Sequence, residues 1–254
     1  MIFTWRFIRM WQRNADVFLH LWHTEAPGIV IEPLILLLAM GFGLGAFINT
    51  QVNGQSYIEF IVPGIIASYG MFSASFECTY GTFFRMEPQR TFDAIISTPL
   101  NVEDVIAGEI FWGATRSLLT GTVVLAVAAA FQLVHSFWAL LIPFLSFLGG
   151  IMFSSISMLF TSYVPSFYSF NYYFTLFITP MFYFSGVFFP LSSFPKAVQI
   201  FSWVVPLTPQ VNLTRSLVNG QFDISNVLSI SLIVVLSVFF FTFSIRRMRV
   251  RITP

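Results

Sequence analysis

Six apolar stretches occupy most of this chain: 29–48, 57–84, 105–131, 137–163, 170–189 and 227–243. Each approaches or exceeds the roughly 20 helical residues, at about 1.5 Å apiece, that cross a hydrocarbon core of about 30 Å. In lipid every backbone N–H and C=O needs a partner within a helix or a closed barrel, and these runs show no period-two alternation. They predict an all-α polytopic membrane protein with six transmembrane helices. Composition agrees, with 9% charged residues where a soluble domain carries about 25%.

The few cations are unevenly placed. Arg6, Arg9 and Arg13 precede the first stretch, and Arg246, Arg247, Arg249 and Arg251 follow the last. Arg85 and Arg90 lie between the second and third, whereas Lys196 and Arg215 are the only cations between the fifth and sixth. The positive-inside rule then puts both termini and the second-to-third loop in the cytoplasm, which an even number of spans requires. Cys78 is the single cysteine and falls inside the second stretch, so no disulfide framework is expected. No cleavable signal peptide is apparent, because the first segment is too aromatic and too rich in Arg. Residues 1–254 read as one membrane domain.

Residues 1–24 are patterned without being a span. Phe3, Phe7, Met10, Trp11, Phe18 and Leu21 recur at helical spacing, with Arg6, Arg9 and Arg13 on the opposite side. This predicts an amphipathic helix in the membrane interface; the alternative is a helix packed on a soluble partner. His20, His23 and Glu25 are close in sequence, but no further ligand completes a shell and no metal site is expected.

The segment 86–100 is the most polar between spans. Pro88 suits a first helical turn, Pro99 stops a helix before it, and Phe92, Ile95 and Ile96 mark one apolar side. Asn101 and Asp104 read as a cap opening the third span. A short helix held between two spans suits docking to a soluble partner, or it lies on the membrane face. The connection 190–223, with Pro190, Pro195, Pro206 and Pro209 among Phe194, Ile200, Phe201 and Trp203, is too apolar for a free loop. It predicts short re-entrant or interfacial helices between spans five and six.

Ionisable groups inside spans are costly and mark functional candidates, here Glu77, Glu109 and Arg116. Glu109 and Arg116 share a helix face about 10 Å apart, and depth counting puts Glu77 between them. A Glu77–Arg116 pair follows, as a structural ion pair or as a substrate contact. Gly41, Gly43 and Gly45 lie in an apolar run with no strand before them, which suits helix packing or local unwinding. No catalytic residue is expected: no Ser or Cys nucleophile sits in a recognisable setting with a His. No GxxxxGK[ST] motif cradles a phosphate, so the chain cannot hydrolyse ATP by that route. Aromatics are numerous, with 33 Phe, 8 Tyr and 6 Trp. In the aromatic fifth stretch, Tyr172, Tyr173, Phe177 and Phe184 suit lipid-facing packing and also a path for sugar rings or acyl chains.

The stretch 85–109, above all Gln89-Arg-Thr-Phe-Asp-Ala-Ile-Ile-Ser-Thr-Pro-Leu100, resembles the coupling loop of ABC-2-type transporter permeases. Phe184-Ser-Gly-Val-Phe-Phe-Pro190, followed by Pro206-Leu207 and Arg215, resembles that family's signature after the fifth span. The likeness runs along nearly the whole chain and is closest to lipo-oligosaccharide exporters of the nodulation-factor type. Pro209 departs from it, where related permeases often carry His or Tyr.

The resemblance implies a permease that pairs with a second copy of itself and with two ATPase subunits in the bacterial inner membrane. It exports a lipid-linked saccharide or similar amphiphile, or else a drug or other lipid. No cofactor is expected in this chain, ATP and Mg belonging to the partner ATPase, and no nucleic acid is expected. The coupling helix would be Glu87–Ser97, with Phe92, Ile95 and Ile96 in a groove of the ATPase and Arg90 and Asp93 at its rim. Residues 1–24, with Arg6, Arg9, Trp11 and Arg13, would form an interfacial gate helix. An ion-coupled secondary transporter would need midplane carboxylates on broken helices, and the midplane is nearly uncharged. An intramembrane glycan-modifying enzyme would have only Glu25 and His23 as candidate groups.

Overall fold

The computed structural model describes residues 4–43, 45, 47 and 54–253, and it is helical from end to end, with no β-strand among the described residues. Among the described residues, five stretches are long and apolar enough to cross a bilayer: Trp22–Gly41, Tyr57–Met86, Val102–Ala130, Phe137–Thr161 and Ile224–Ile252. The chain opens with α1 (Phe7–His20), kinks at Leu21 and continues as α2 (Trp22–Leu37), well ahead of the expected start at 29. A wide, π-type turn at Leu38–Gly43 prolongs α2, while Phe3 and the expected end of this span at 48 lie outside the described residues.

Helix α3 (Tyr57–Phe76) starts on a capping box in which the Ser56 N–H donates to Glu59 Oε2 at 2.8 Å. A second wide turn, Glu77–Gly81, joins it to α4 (Thr82–Met86). Helix α5 covers only Thr91–Ile96, shorter than the expected 87–97. Arg90 adopts a left-handed conformation (φ 49°), which a helix cannot pass through, so Pro88 sits in the preceding turn. Asn101 holds the cap position of α6 (Val102–Ala130), although its side chain makes no capping bond.

A 3-10 turn at Phe137–Leu141 leads into α7 (Ile142–Thr161). The expected helix 170–189 is instead broken. Its pieces are α8 (Phe170–Tyr173), a third wide turn (Phe174–Ile178) and α9 (Thr179–Phe184). It ends there because Gly186, at φ 80°, turns the chain away. Two further helices, α10 (Lys196–Val204) and α11 (Leu207–Asn219), fill the connection 190–223. Gly220, at φ 70°, terminates α11, and α12 (Ile224–Ile252) runs past the expected 243 into the arginine cluster.

Helices α3, α6 and α7 form the centre, with α11 and α12 packed against them. Small residues let the backbones touch: a Cβ on Gly150 of α7 would lie 2.8 Å from the Ala114 Cα of α6. Helix α11 reaches deep into the bundle, its Gln210 lying against Gly149 in the middle of α7. The main apolar core runs along α3, α7 and α11, and a second cluster fills the end that carries both termini.

Much of the apolar side of α1 packs on α6, while Leu21 at its end is exposed. Met10 is buried against Gly108, and Trp11 Nε1 donates to Thr115 Oγ1 at 2.8 Å. The Phe18 and Trp112 rings lie 5.8 Å apart. Residues spaced for one face of a helix do not say what covers that face, and here it is α6.

Candidate functional site

Charged side chains gather where α1, α2, α4 and α6 meet. Glu109 is fully buried and every acceptor direction is used. Asn14 Nδ2 donates to its Oε1 at 3.0 Å, Thr82 Oγ1 donates to Oε2 at 2.7 Å, and Arg85 donates to both oxygens. The same guanidinium donates to Glu77 Oε1 at 2.8 Å. Removing one member of so enclosed a network leaves a buried charge unmatched. The wide turn between Glu77 and Arg85 aims both side chains at this one point.

Arg116 lies one layer further along. Its Nη1 meets Glu25 Oε2 at 2.6 Å, and its Nε lies 3.6 Å from Glu77 Oε2, too long for a hydrogen bond. The stronger partner of Arg116 is therefore Glu25 of α2, and that of Glu77 is Arg85. The Arg116 guanidinium also lies over the Phe18 ring at 4.9 Å. Arg13 flanks the network, and partial burial lowers its pKa while Glu109 opposes the shift.

Two cavities open on either side of this bridge. One of about 290 Å³ is bordered by Arg13, Phe18, Gln89 and Trp112. The other, about 340 Å³, is bordered by Glu32, Tyr69, Phe76 and Tyr80. Glu25, Glu77 and Arg116 line both. A separate apolar groove of about 410 Å³ contains Tyr172, Tyr173 and Phe177. Tyr173 is buried, with its hydroxyl 2.9 Å from Ser157 Oγ. Phe184 is outside that groove and faces Phe194 across 6.1 Å.

The segment 86–104 is fastened to both chain ends. The Thr4 N–H and hydroxyl donate to the Asp104 carboxylate at 2.8 and 2.7 Å, and Arg6 donates to the Pro99 carbonyl at 2.5 Å. Arg249 pairs with Glu103 at 2.8 Å and Arg251 with Glu87 at 3.1 Å. Phe92 corrects an expectation. It is 1% exposed and packs into the protein's own second core cluster, with Ile95 and Ile96 partly buried against it. Phe92 therefore offers no anchor to a partner, and the outward side of the segment is Glu87, Gln89, Arg90 and Asp93, all exposed. Arg9 is likewise exposed on α1, and its guanidinium donates to Gln12 Oε1 at 3.2 Å.

At the opposite end, Arg215 donates to the Gly186 carbonyl at 2.9 Å and sits 4.3 Å from the Phe60 ring. It straps α11 to the end of the broken helix.

Arg85, Asn14 and Thr82 are the site residues that sequence reading passes over. Arg85 reads as the first residue of a loop, yet Thr82-Phe-Phe-Arg-Met86 continues the apolar run and keeps it on a helix. Asn14 gives no signal of its own, since a single amide among arginines looks solvated.

The profile of the ABC-2 type transporter family matches residues 2–219. The chain belongs to that family. The permease is 36% identical over 219 residues to Nodulation protein J of Rhizobium meliloti (strain 1021), covering 85% of this chain and 82% of that protein. It is also 36% identical over 222 residues to Nodulation protein J of Rhizobium leguminosarum bv. viciae, covering 87% of this chain and 84% of that protein. Inner membrane transport permease YadH of Escherichia coli (strain K12) is 26% identical over 234 residues, 91% of the permease and 90% of that protein. No solved structure matches. The chain is thus an integral membrane transport permease.

Proposed function

We propose that this permease is the membrane subunit of an ATP-driven exporter that moves a lipid-linked saccharide or similar amphiphile from the cytoplasmic side outward. Two copies pair and work with two separate ATPase subunits, which bind the ATP and Mg. Relatives named Nodulation protein J, together with a polar cavity that shares Gly28, Glu32 and Tyr69 with an apolar groove, support this substrate class. The broken helix 167–184 serves as the sixth membrane-crossing element, and α10 and α11 as the interfacial and re-entrant pieces. Both termini then face the cytoplasm of the bacterial inner membrane.

The observation that carries the coupling mechanism is the fastening of 86–104 to both chain ends. A push on the exposed side of α5, received through Glu87, Arg90 and Asp93, passes to α12 through Arg251 and to the α1 end through Thr4. Phe92, Ile95 and Ile96 make the segment rigid enough to transmit it. Residues 1–24 act as the gate helix because they hold Glu109 through Asn14 and cover α6 through Trp11. Tyr172, Tyr173 and Phe177 offer the apolar part of the path.

The test is co-purification of the permease with an ATPase subunit, followed by ATP turnover in vesicles. Association that survives in wild type and fails in an Arg90→Glu, Asp93→Arg variant is expected. Absence of any ATPase partner in the wild-type preparation would remove the reading.

A further inference from the structure

Glu32 stands where a polar cavity meets an apolar groove. The cavity of about 340 Å³ has Glu25, Glu77 and Arg116 at one side and the Tyr69 and Phe76 rings on its walls. The groove, about 510 Å³, runs along α2 past Ile31, Ile35 and Leu36. Gly28, Glu32 and Tyr69 border both spaces. Glu25 and Glu32 are seven residues apart on one helix, hence on the same face and separated by about 10 Å along the axis. The Glu32 carboxylate receives no ion pair or hydrogen bond among the described residues, although it lies within a stretch apolar enough to span a membrane. A lone carboxylate within such a stretch marks a pathway or a ligand site.

We propose that this junction holds an amphiphile whose headgroup is rich in hydrogen-bond donors and carries no negative charge, with its tail along α2. The unpaired Glu32 carboxylate accepts hydrogen bonds, so it favours an occupant that donates them. Glu25 is paired with Arg116 and Glu77 with Arg85, which leaves Glu32 as the unmatched charge on the cavity wall, so an anionic headgroup meets net repulsion between low-dielectric walls. The Tyr69 and Phe76 faces accept the apolar side of a sugar ring or a cation. Hydroxyl-rich and ammonium headgroups share this chemistry, and phosphate-bearing ones do not. The proposal rests on an amphiphile being the cargo and adds which headgroups the permease admits.

The measurement is equilibrium binding to the full-length permease in zwitterionic nanodiscs, with empty discs subtracted and no ATPase present. Labelled decyl glucoside, decylamine and decyl phosphate serve as probes. Saturable binding of the glucoside, the amine or both is expected, with the phosphate about tenfold weaker or more. Glu32→Leu should weaken binding of whichever donor probe binds by about fivefold or more, and Glu32→Gln should weaken the amine more than the glucoside. Neither change removes a contact of the fold, and Val235→Ala on the far helix α12 should leave binding as it was. Phosphate binding as tight as the glucoside, or unaltered affinity in Glu32→Leu, would overturn the proposal. So would equally poor binding of all three probes, the result if a second copy of the chain covers α2. Loss of the ATPase partner would refute the exporter reading without touching these affinities.

Discussion

Asn14 of α1 donates to the buried Glu109 carboxylate of α6 at 3.0 Å, so the amino-terminal helix closes the electrostatic centre of the bundle. Asn14→Leu should cost about 1–3 kcal/mol, because Glu109 loses a donor that water cannot replace. Arg85→Met should cost more, about 3–5 kcal/mol, since Glu77 and Glu109 are then both unmatched. Adding Glu109→Gln to Arg85→Met should restore part of the loss. Thermal unfolding followed by fluorescence-detected size exclusion reads these shifts. A thermal midpoint that Arg85→Met leaves unmoved would contradict this account of the network.

Phe92 and Glu87 lie in the same short segment and should behave oppositely. Phe92→Ala removes a fully buried ring and should destabilise the permease by about 3–5 kcal/mol. Glu87→Gln breaks only an exposed pair with Arg251 and should cost less than about 1 kcal/mol. Its effect should appear instead as ATP turnover no longer stimulated by substrate, with the ATPase still bound. The two assays together decide it: a stable Phe92→Ala protein would place that ring outside the core.

Topology can be read with introduced cysteines. Gln89 and Ser193 are both exposed, and the native Cys78 is buried, so background labelling should be negligible. Cysteines at 89 and 193 should react with an impermeant maleimide from opposite faces. Reaction of both from one face would exclude an arrangement with six crossings.

Two glycines should separate packing from mere apolarity. Gly150→Ala places a methyl against the α6 backbone, which cannot yield, and should cost about 1–3 kcal/mol. Gly28→Ala meets nothing within 4 Å and should be neutral or slightly stabilising, since α2 gains helix propensity. Equal melting temperatures for the two variants would show that α6 and α7 do not touch there.

Hydropathy makes the long helices legible because a span must be apolar along its whole length, whatever it packs against. The fifth stretch defeats that reading. Its residues are apolar enough, but Gly186 and the wide turn at Phe174–Ile178 act through backbone geometry that hydropathy does not register. The acidic residues of the site are visible as charges in apolar runs, yet their pairing is not. Depth counting along regular helices brings Glu77 to Arg116, whereas the extra residue in the turn after Phe76 hands Glu77 to Arg85. Phe92 is missed for another reason: an apolar side on a short helix looks the same whether a partner or the chain itself covers it.

The turn at Glu77–Gly81 has a consequence for chain length. An inserted residue rotates everything beyond it by about 100° around a helix axis. Phe83 and Arg85 thereby face the Phe170 ring and the Glu109 carboxylate, respectively. Deleting one residue there would restore a regular helix with nearly the same composition and hydropathy. It would also swing Arg85 off both carboxylates, so the charge balance of the bundle hangs on a count of residues as much as on their kinds.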